Sequence, residues 1–221
     1  MTTAKIRVLI VDDQALFRSG IRMLLSSQSD MDCVGEAADG IQAQEMVRLV
    51  NPDVVLMDVR MPVQDGITAT EAILLENPDS EHQRPRIIVL TTFELDEAAA
   101  KALRAGASGF LLKDAEPEFL LAAIRSVHAG NSVVASKQTA QLLQHHVNLP
   151  EPVPERFQEL TERETEIFQW AAQGLSNTEI AERAFLSEAT VKTHMSRILS
   201  KLQLRDRVQL VVFAYQYGLV V

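Results

Sequence analysis

The stretch VVLMDVRMPVQDG, Val54 to Gly66, changes character at one residue. Val54 to Met57 are four apolar residues, two of them β-branched, and read as a strand buried on both faces. Asp58 ends that run. Pro62, Asp65 and Gly66 then read as a turn. An acid where a buried strand meets a loop sits at an opening of the fold and still reaches water. For one isolated Asp the ordinary reading is a strand-ending residue that caps the next turn. A chemical role requires that other polar residues converge on it.

Outward from this stretch the same alternation repeats. Ile6–Val11 is a strand followed at once by Asp12 and Asp13. A helix over 14–26 carries Leu16, Phe17, Ile21, Leu24 and Leu25 on helical spacing. A short strand at 33–37 precedes a helix over 40–50, which Asn51-Pro52 stops. After Asp58 comes a helix over 67–76 and a polar loop over 77–86. The strand 87–90 ends at Thr91-Thr92. An alanine-rich helix over 95–105 is closed by Gly106. The strand 109–112 ends at Lys113-Asp114. A last helix over 116–129 has Pro117 near its start and Gly130 past its end.

Five strand–helix repeats with right-handed crossovers predict an α/β doubly wound five-stranded parallel sheet. In such sheets the ligand crevice lies beyond the carboxyl ends of the strands. Four of these ends are polar: Asp12-Asp13, Asp58, Thr91 and Lys113. The fold therefore predicts that they meet. Three carboxylates brought together repel one another. A hard divalent cation with oxygen ligands offsets that, and Mg²⁺ fits a site of few carboxylates and several waters. Lys113 offers a compact cation for a phosphoryl oxygen or a carboxylate, and the Thr91 hydroxyl can donate to an anion. Thr92 is the alternative; Thr91 is preferred because it directly follows the strand. These are the parts for forming an aspartyl phosphate.

With 221 residues the chain suits two domains, and 47% apolar residues support real cores. The net charge of −9 argues against a general nucleic-acid glue. The charge is uneven: residues 1–150 hold 13 Lys and Arg against 20 Asp and Glu, whereas residues 190–221 hold five cations against Asp206 alone. Different partners for the two ends follow. Cys33 is the single cysteine, which excludes an intrachain disulfide and reads as inert core. The N-terminal MTTAKIR lacks the apolar stretch of a signal peptide, and no run approaches bilayer-spanning length. A soluble cytoplasmic protein without membrane contact is expected.

The motifs LIVDD (Leu9–Asp13), MDVRMPVQDG (Met57–Gly66), VLTTF (Val89–Phe93) and AGASGFLLKD (Ala105–Asp114) make residues 5–129 resemble a receiver domain of bacterial two-component response regulators, a flavodoxin-like fold. The resemblance implies that Asp58 accepts a phosphoryl group from a phosphohistidine on a sensor histidine kinase. Asp12, Asp13, Asp58 and the backbone carbonyl of Arg60 would hold Mg²⁺. Thr91 and Phe110 would form a switch pair, and Lys113 would meet a phosphoryl oxygen. Such a receiver catalyses only its own phosphorylation and dephosphorylation and is not otherwise an enzyme. Many receivers have Pro after the Lys, where Asp114 stands here. That leaves the geometry of the Lys113-Asp114 peptide open.

Residues 130–155 read as a partly helical linker: a strand-like SVVA at 132–135, a helix over 136–147, then NLPEPVPE with three prolines. The adjacent His145 and His146 point different ways on a helix and read as solvated. From residue 156 a small all-α four-helix domain is expected. Thr161 and Glu164 form a capping box for a helix reaching Gly174. Ser176-Asn177 cap a helix over 178–184, and Ser187 caps one over 188–202. A fourth helix spans 207–217. Two short helices with a tight link fit a helix-turn-helix. Its second helix bears Lys192, Thr193, His194, Ser196, Arg197 and Lys201, with no acid between Thr190 and Arg205.

The marks LTERE, GLSNTEIA and TVKTHMSRIL make residues 156–221 resemble the LuxR-type helix-turn-helix, and the whole chain a NarL/FixJ-type response regulator. That implies a transcription regulator that binds double-stranded DNA at promoter sites as a homodimer. Lys192, Thr193 and Ser196 would face base edges, and Thr190, Arg197 and Lys201 phosphates. Val208, Val211, Val212 and Tyr215 would form the dimer contact. Two other classes compete with this reading: an aspartyl-phosphate hydrolase and a small-molecule-sensing regulator. Arg60 stands where such hydrolases need a second acid, and the acceptor set is complete.

Overall fold

The structure, a computed structural model, describes residues 5–76, 84–91, 97–130 and 152–220. The chain forms two compact units divided between residues 133 and 134. The first has strands β1 (Ile6–Val11), β2 (Met31–Ala37), β3 (Val54–Asp58), β4 (Arg86–Thr91) and β5 (Gly109–Leu112). Its helices are α1 (Ala15–Ser26), α2 (Gly40–Val50), α3 (Gly66–Leu75), α4 (Glu97–Arg104) and α5 (Pro117–His128). The strands pair in the order β2-β1-β3-β4-β5, every pair parallel. Strand order reverses between β1 and β3, and that is where such sheets bind ligands.

β3 is buried at every residue, as a central strand covered on both faces must be. On one face Ile21 and Leu25 of α1 and Leu120, Ile124 and Val127 of α5 pack against the sheet. Leu16 does not join them: it is 90% exposed. The buried stripe runs through Phe17, Ile21, Leu24 and Leu25, and Leu16 lies one residue off it. β2 starts at Met31, two residues before the sequence suggested, because Met31 is itself core. α3 starts at Gly66 because Asp65 caps it, accepting from the amides of Ile67 and Thr68 at 2.9 Å each. Cys33 is half-buried rather than core; burial pushes its thiol up.

The second unit begins with a short 3₁₀ turn, Glu155–Glu159. It continues with α6 (Glu162–Ala172), α7 (Asn177–Ala184), α8 (Glu188–Leu202) and α9 (Arg207–Gln216). Thr161 with Glu164 and Ser176 with Glu179 close capping boxes on α6 and α7. Ser187 caps α8, and Asp206 caps α9 by accepting from the amide of Gln209 at 3.0 Å. α7 and α8 end in left-handed residues that are not glycine, Phe185 (φ 56°) and Gln203 (φ 54°). The core gathers Ile167, Ile180, Val191, Ile198 and Leu202 around Phe168, whose ring meets Phe157 at 5.1 Å and Phe213 at 6.2 Å. Among the described residues no helix is long and apolar enough to cross a membrane. Thr92, Phe93, the readings for 132–147 with His145 and His146, and residues 148–151 of the proline-rich stretch lie outside the described residues.

Candidate functional site

The register brings the predicted strand ends together. Val11 pairs with Met57, so Asp12 stands beside Asp58 at the switch point. Thr91 pairs with Leu112, so Lys113 follows one step beyond it, and the amide of Lys113 donates to the carbonyl of Thr91 at 2.8 Å. Lys113 Nζ lies 2.7 Å from Asp12 Oδ2 and 2.8 Å from Asp58 Oδ2. The ammonium also stands 5.0 Å from the Phe17 ring centroid. Asp12, Asp58 and Thr91 are buried, and Asp13 is exposed. Phe110 is buried on β5, beside Val89 of β4.

Turn chemistry holds Asp58 at this point. Gly66 packs so closely that a Cβ there would lie 1.9 Å from the Asp58 carbonyl oxygen, so only glycine fits. Its amide donates to the carbonyl of Val59 at 3.0 Å. The amide of Arg60 reaches back toward Asp58 Oδ1 at 3.4 Å. Gln64 ties the loop to α2: its carbonyl accepts from Gly40 at 3.0 Å, and its Oε1 accepts from Gln44 Nε2 at 2.6 Å. The Gln44–Gln64 link carries no sequence signal, since both residues read as ordinary polar surface. No peptide among the described residues is cis, so the Lys113-Asp114 bond is trans.

The charges do not balance. Burial raises the Asp58 carboxyl above its ordinary range, and Asp12 raises it further; Lys113 opposes both. Burial alone would lower Lys113, but Asp12 and Asp58 outweigh it and hold the ammonium above its usual value. Carboxylate oxygens of Asp12, Asp13 and Asp58 all lie within 4.8 Å of one another. Asp12 Oδ2 is buried and receives no aligned hydrogen bond; the ammonium of Lys113 faces it as an ion pair. One ammonium shared among three acids and an all-oxygen donor set fit a hard divalent cation.

In the second unit Lys192, Thr193, Ser196 and Arg197 are exposed on α8. Thr190 is half-exposed and hydrogen-bonds the Ser187 hydroxyl at 2.8 Å. Two expectations need correction. Lys201 does not extend outward: its ammonium lies 2.6 Å from buried Glu164 and donates to the carbonyl of Glu159 at 2.9 Å. Glu164 also accepts from the Thr161 amide at 2.9 Å, and sequence reasoning saw only that half of its role. Val208, Val211 and Val212 are buried in the single chain, so of the four expected dimer residues Tyr215 alone offers accessible surface.

Both parts of the chain have relatives among known proteins. Residues 8–125 match the response regulator receiver domain, and residues 158–214 match bacterial regulatory proteins of the luxR family. The chain is 41% identical over 222 residues to the uncharacterized transcriptional regulatory protein YxjL of Bacillus subtilis, covering all of both. It is 38% identical to the transcriptional regulatory protein LnrK of Bacillus subtilis, over 96% of this chain and 98% of that one. The crystal structure of the response regulator ChrA, from a heme-sensing two-component system, superposes with a TM-score of 0.52 at 36% identity. That match covers 99% of this chain and 100% of the other. The receiver match spans the residues that the hydrolase and small-molecule-sensing alternatives would need.

Proposed function

The chain belongs to the response regulators that join a receiver domain to a LuxR-type DNA-binding domain, and from that premise we propose that phosphorylation of Asp58 controls its binding to DNA. The observation that carries this reading is the Lys113 ammonium between Asp12 and Asp58. In the step, the P–N bond of a phosphohistidine on a sensor histidine kinase breaks and an O–P bond to Asp58 forms. The raised pKa of Asp58 marks a carboxylate whose charge is costly where it stands, and formation of the acyl phosphate moves the negative charge from the carboxylate onto the phosphoryl oxygens. Lys113 is then released toward a phosphoryl oxygen.

Asp12, Asp13, Asp58 and the carbonyl of Arg60 are the residues that would hold Mg²⁺, which supplies charge neutralisation at the transferring group. The Thr91 hydroxyl turns onto the phosphoryl group, and Phe110 follows into the space it leaves. The receiver performs only its own phosphorylation and dephosphorylation. Residues 5–129 form this receiver, 130–155 the linker and 156–221 the DNA-binding domain, in a cytoplasmic protein.

At the output end, Lys192, Thr193 and Ser196 meet base edges in the major groove, and Thr190 and Arg197 meet phosphates. Lys201 fixes the helix that carries them. A homodimer through α9, with Tyr215 at its accessible edge, sets two recognition helices about one turn of DNA apart.

The experiment is direct. A small-molecule phosphodonor with Mg²⁺ should add one phosphate to the intact chain, read by mass, and increase its affinity for promoter DNA. Asp58→Ala should abolish both. Phosphate retained in that variant moves the acceptor elsewhere.

A further inference from the structure

We propose that Arg18 is a positioning residue for phosphoryl transfer, acting through the main chain of Asp12. The proposal rests on the acceptor reading above. Arg18 Nη1 donates to the Asp12 carbonyl at 2.5 Å, and its Nε donates to Glu36 Oε2 at 3.1 Å. Glu36 Oε1 in turn lies 3.1 Å from Arg22 Nη1. α1 is thereby braced to β2 across the end of β1. The side chain of Arg18 is only 17% exposed and that of Glu36 27%, so solvent screens this pair less than a surface one.

The carbonyl that Arg18 holds belongs to the peptide joining Asp12 to Asp13. The amide of Asp12 is fixed from the other side by the carbonyl of Ala37, at 3.1 Å. Asp12 Oδ1 accepts from the amide of Gln14 at 2.8 Å. β2 and α1 together thus set the plane of the peptide from which Asp13 projects. Hydrogen bonds are directional, so a shift of that plane moves one of the three acids relative to the other two. Mg²⁺ demands near-ideal octahedral geometry, whereas the larger Ca²⁺ tolerates irregular sites. The strut should therefore matter more for the smaller ion.

The sign of the effect separates positioning from charge. Removing a guanidinium that sits against the Asp12 carbonyl would, by electrostatics alone, tighten binding of a dication at the acids. Removing a positioning contact loosens it.

The test is calorimetric titration of the unphosphorylated full chain with Mg²⁺ and, in parallel, with Ca²⁺. Arg18→Met should raise the Mg²⁺ Kd about tenfold and the Ca²⁺ Kd much less, the scale of losses seen when a contact behind a metal ligand is removed. Arg18→Lys, which keeps a donor, should recover part of the loss. Glu36→Gln replaces the charged acceptor that anchors the guanidinium with a neutral one and should raise the Mg²⁺ Kd by less than Arg18→Met does. Unchanged or tighter Mg²⁺ binding in Arg18→Met overturns the proposal, as does equal weakening for both ions. If Arg18→Met fails to fold, parental Mg²⁺ affinity in Glu36→Gln overturns it. Asp13→Asn is the control: if it leaves Mg²⁺ affinity unmoved, the metal-site part of the reading above falls and takes this one with it.

Discussion

In the first unit Lys113 sits 2.7 and 2.8 Å from two buried aspartates; in the second Lys201 sits 2.6 Å from one buried glutamate. The pair chemistry is the same, yet the acids respond in opposite directions. Asp58 is raised, because burial and a neighbouring acid exceed what one shared ammonium returns. Glu164 is lowered: burial raises it, but Lys201 and the Thr161 amide and hydroxyl outweigh that. The difference lies in donor count. Glu164 has its donors and its charge is closed, so it builds a capping box and fastens α8 to the turn before α6. The aspartate cluster is one cation short, so it remains open to a metal and a phosphoryl group. An ion pair is thus read as structure or function by whether its surroundings complete it.

The largest effect should come from opening the closed pair. Glu164→Ala removes a cap and strands the Lys201 ammonium, and should destabilise the second unit by about 3 kcal/mol in thermal unfolding. Lys201 is 33% exposed, which sets this at the low end for a buried pair. A loss below about 1 kcal/mol would place the pair with ordinary surface bridges and end the comparison. The pH signature is specific. Glu164's contribution is complete above its ordinary 4.5 and is lost as pH falls through the lower folded value.

Asp58→Asn should act in reverse, raising stability at pH 7 without Mg²⁺ by about 1 kcal/mol. The folded pKa is raised, so ionisation costs stability once pH has risen through it. Below the ordinary 3.8 both states are protonated and the gain disappears. Melting temperatures of the two proteins across pH check this; identical values at pH 7 would show that the cluster stores no electrostatic cost.

DNA binding sharpens the comparison at the level of individual cations. Arg197→Ala should reduce the slope of log affinity against log salt by about 1, as loss of one phosphate contact does. Lys201→Ala should leave that slope unchanged, because its charge is already spent on Glu164. An equal drop for Lys201 would mean that the pair opens on DNA.

The smallest effect belongs to the acceptor loop. Val63 is exposed and β-branched at φ 68°, a left-handed conformation that costs such a residue energy. Val63→Gly should stabilise the receiver by less than about 1 kcal/mol in urea unfolding. A loss would show that the Val63 side chain, not the loop's hydrogen bonds, holds this conformation.

Much of the molecule is legible from local rules. The five strand–helix repeats, the polar strand ends at Asp12, Asp58, Thr91 and Lys113, and the caps at Thr161, Ser176 and Ser187 follow from periodicity, parallel topology and turn chemistry. These act within a few residues or through the layer rule, so sequence alone determines them. It does not determine that Lys201 turns inward to Glu164, 37 residues away, or that Arg18 reaches the carbonyl of Asp12 and Glu36 beyond it. Nor does it place Leu16 in solvent or bury the valines of α9. Long side chains carry several rotatable bonds and choose among partners only after the backbone has set distances. Asp58 was recognisable as a candidate from the residue types that converge on it. That its cluster is left one cation short, while an equally buried Glu164 is satisfied, is decided by tertiary structure, because only there is the number of donors within hydrogen-bond reach fixed.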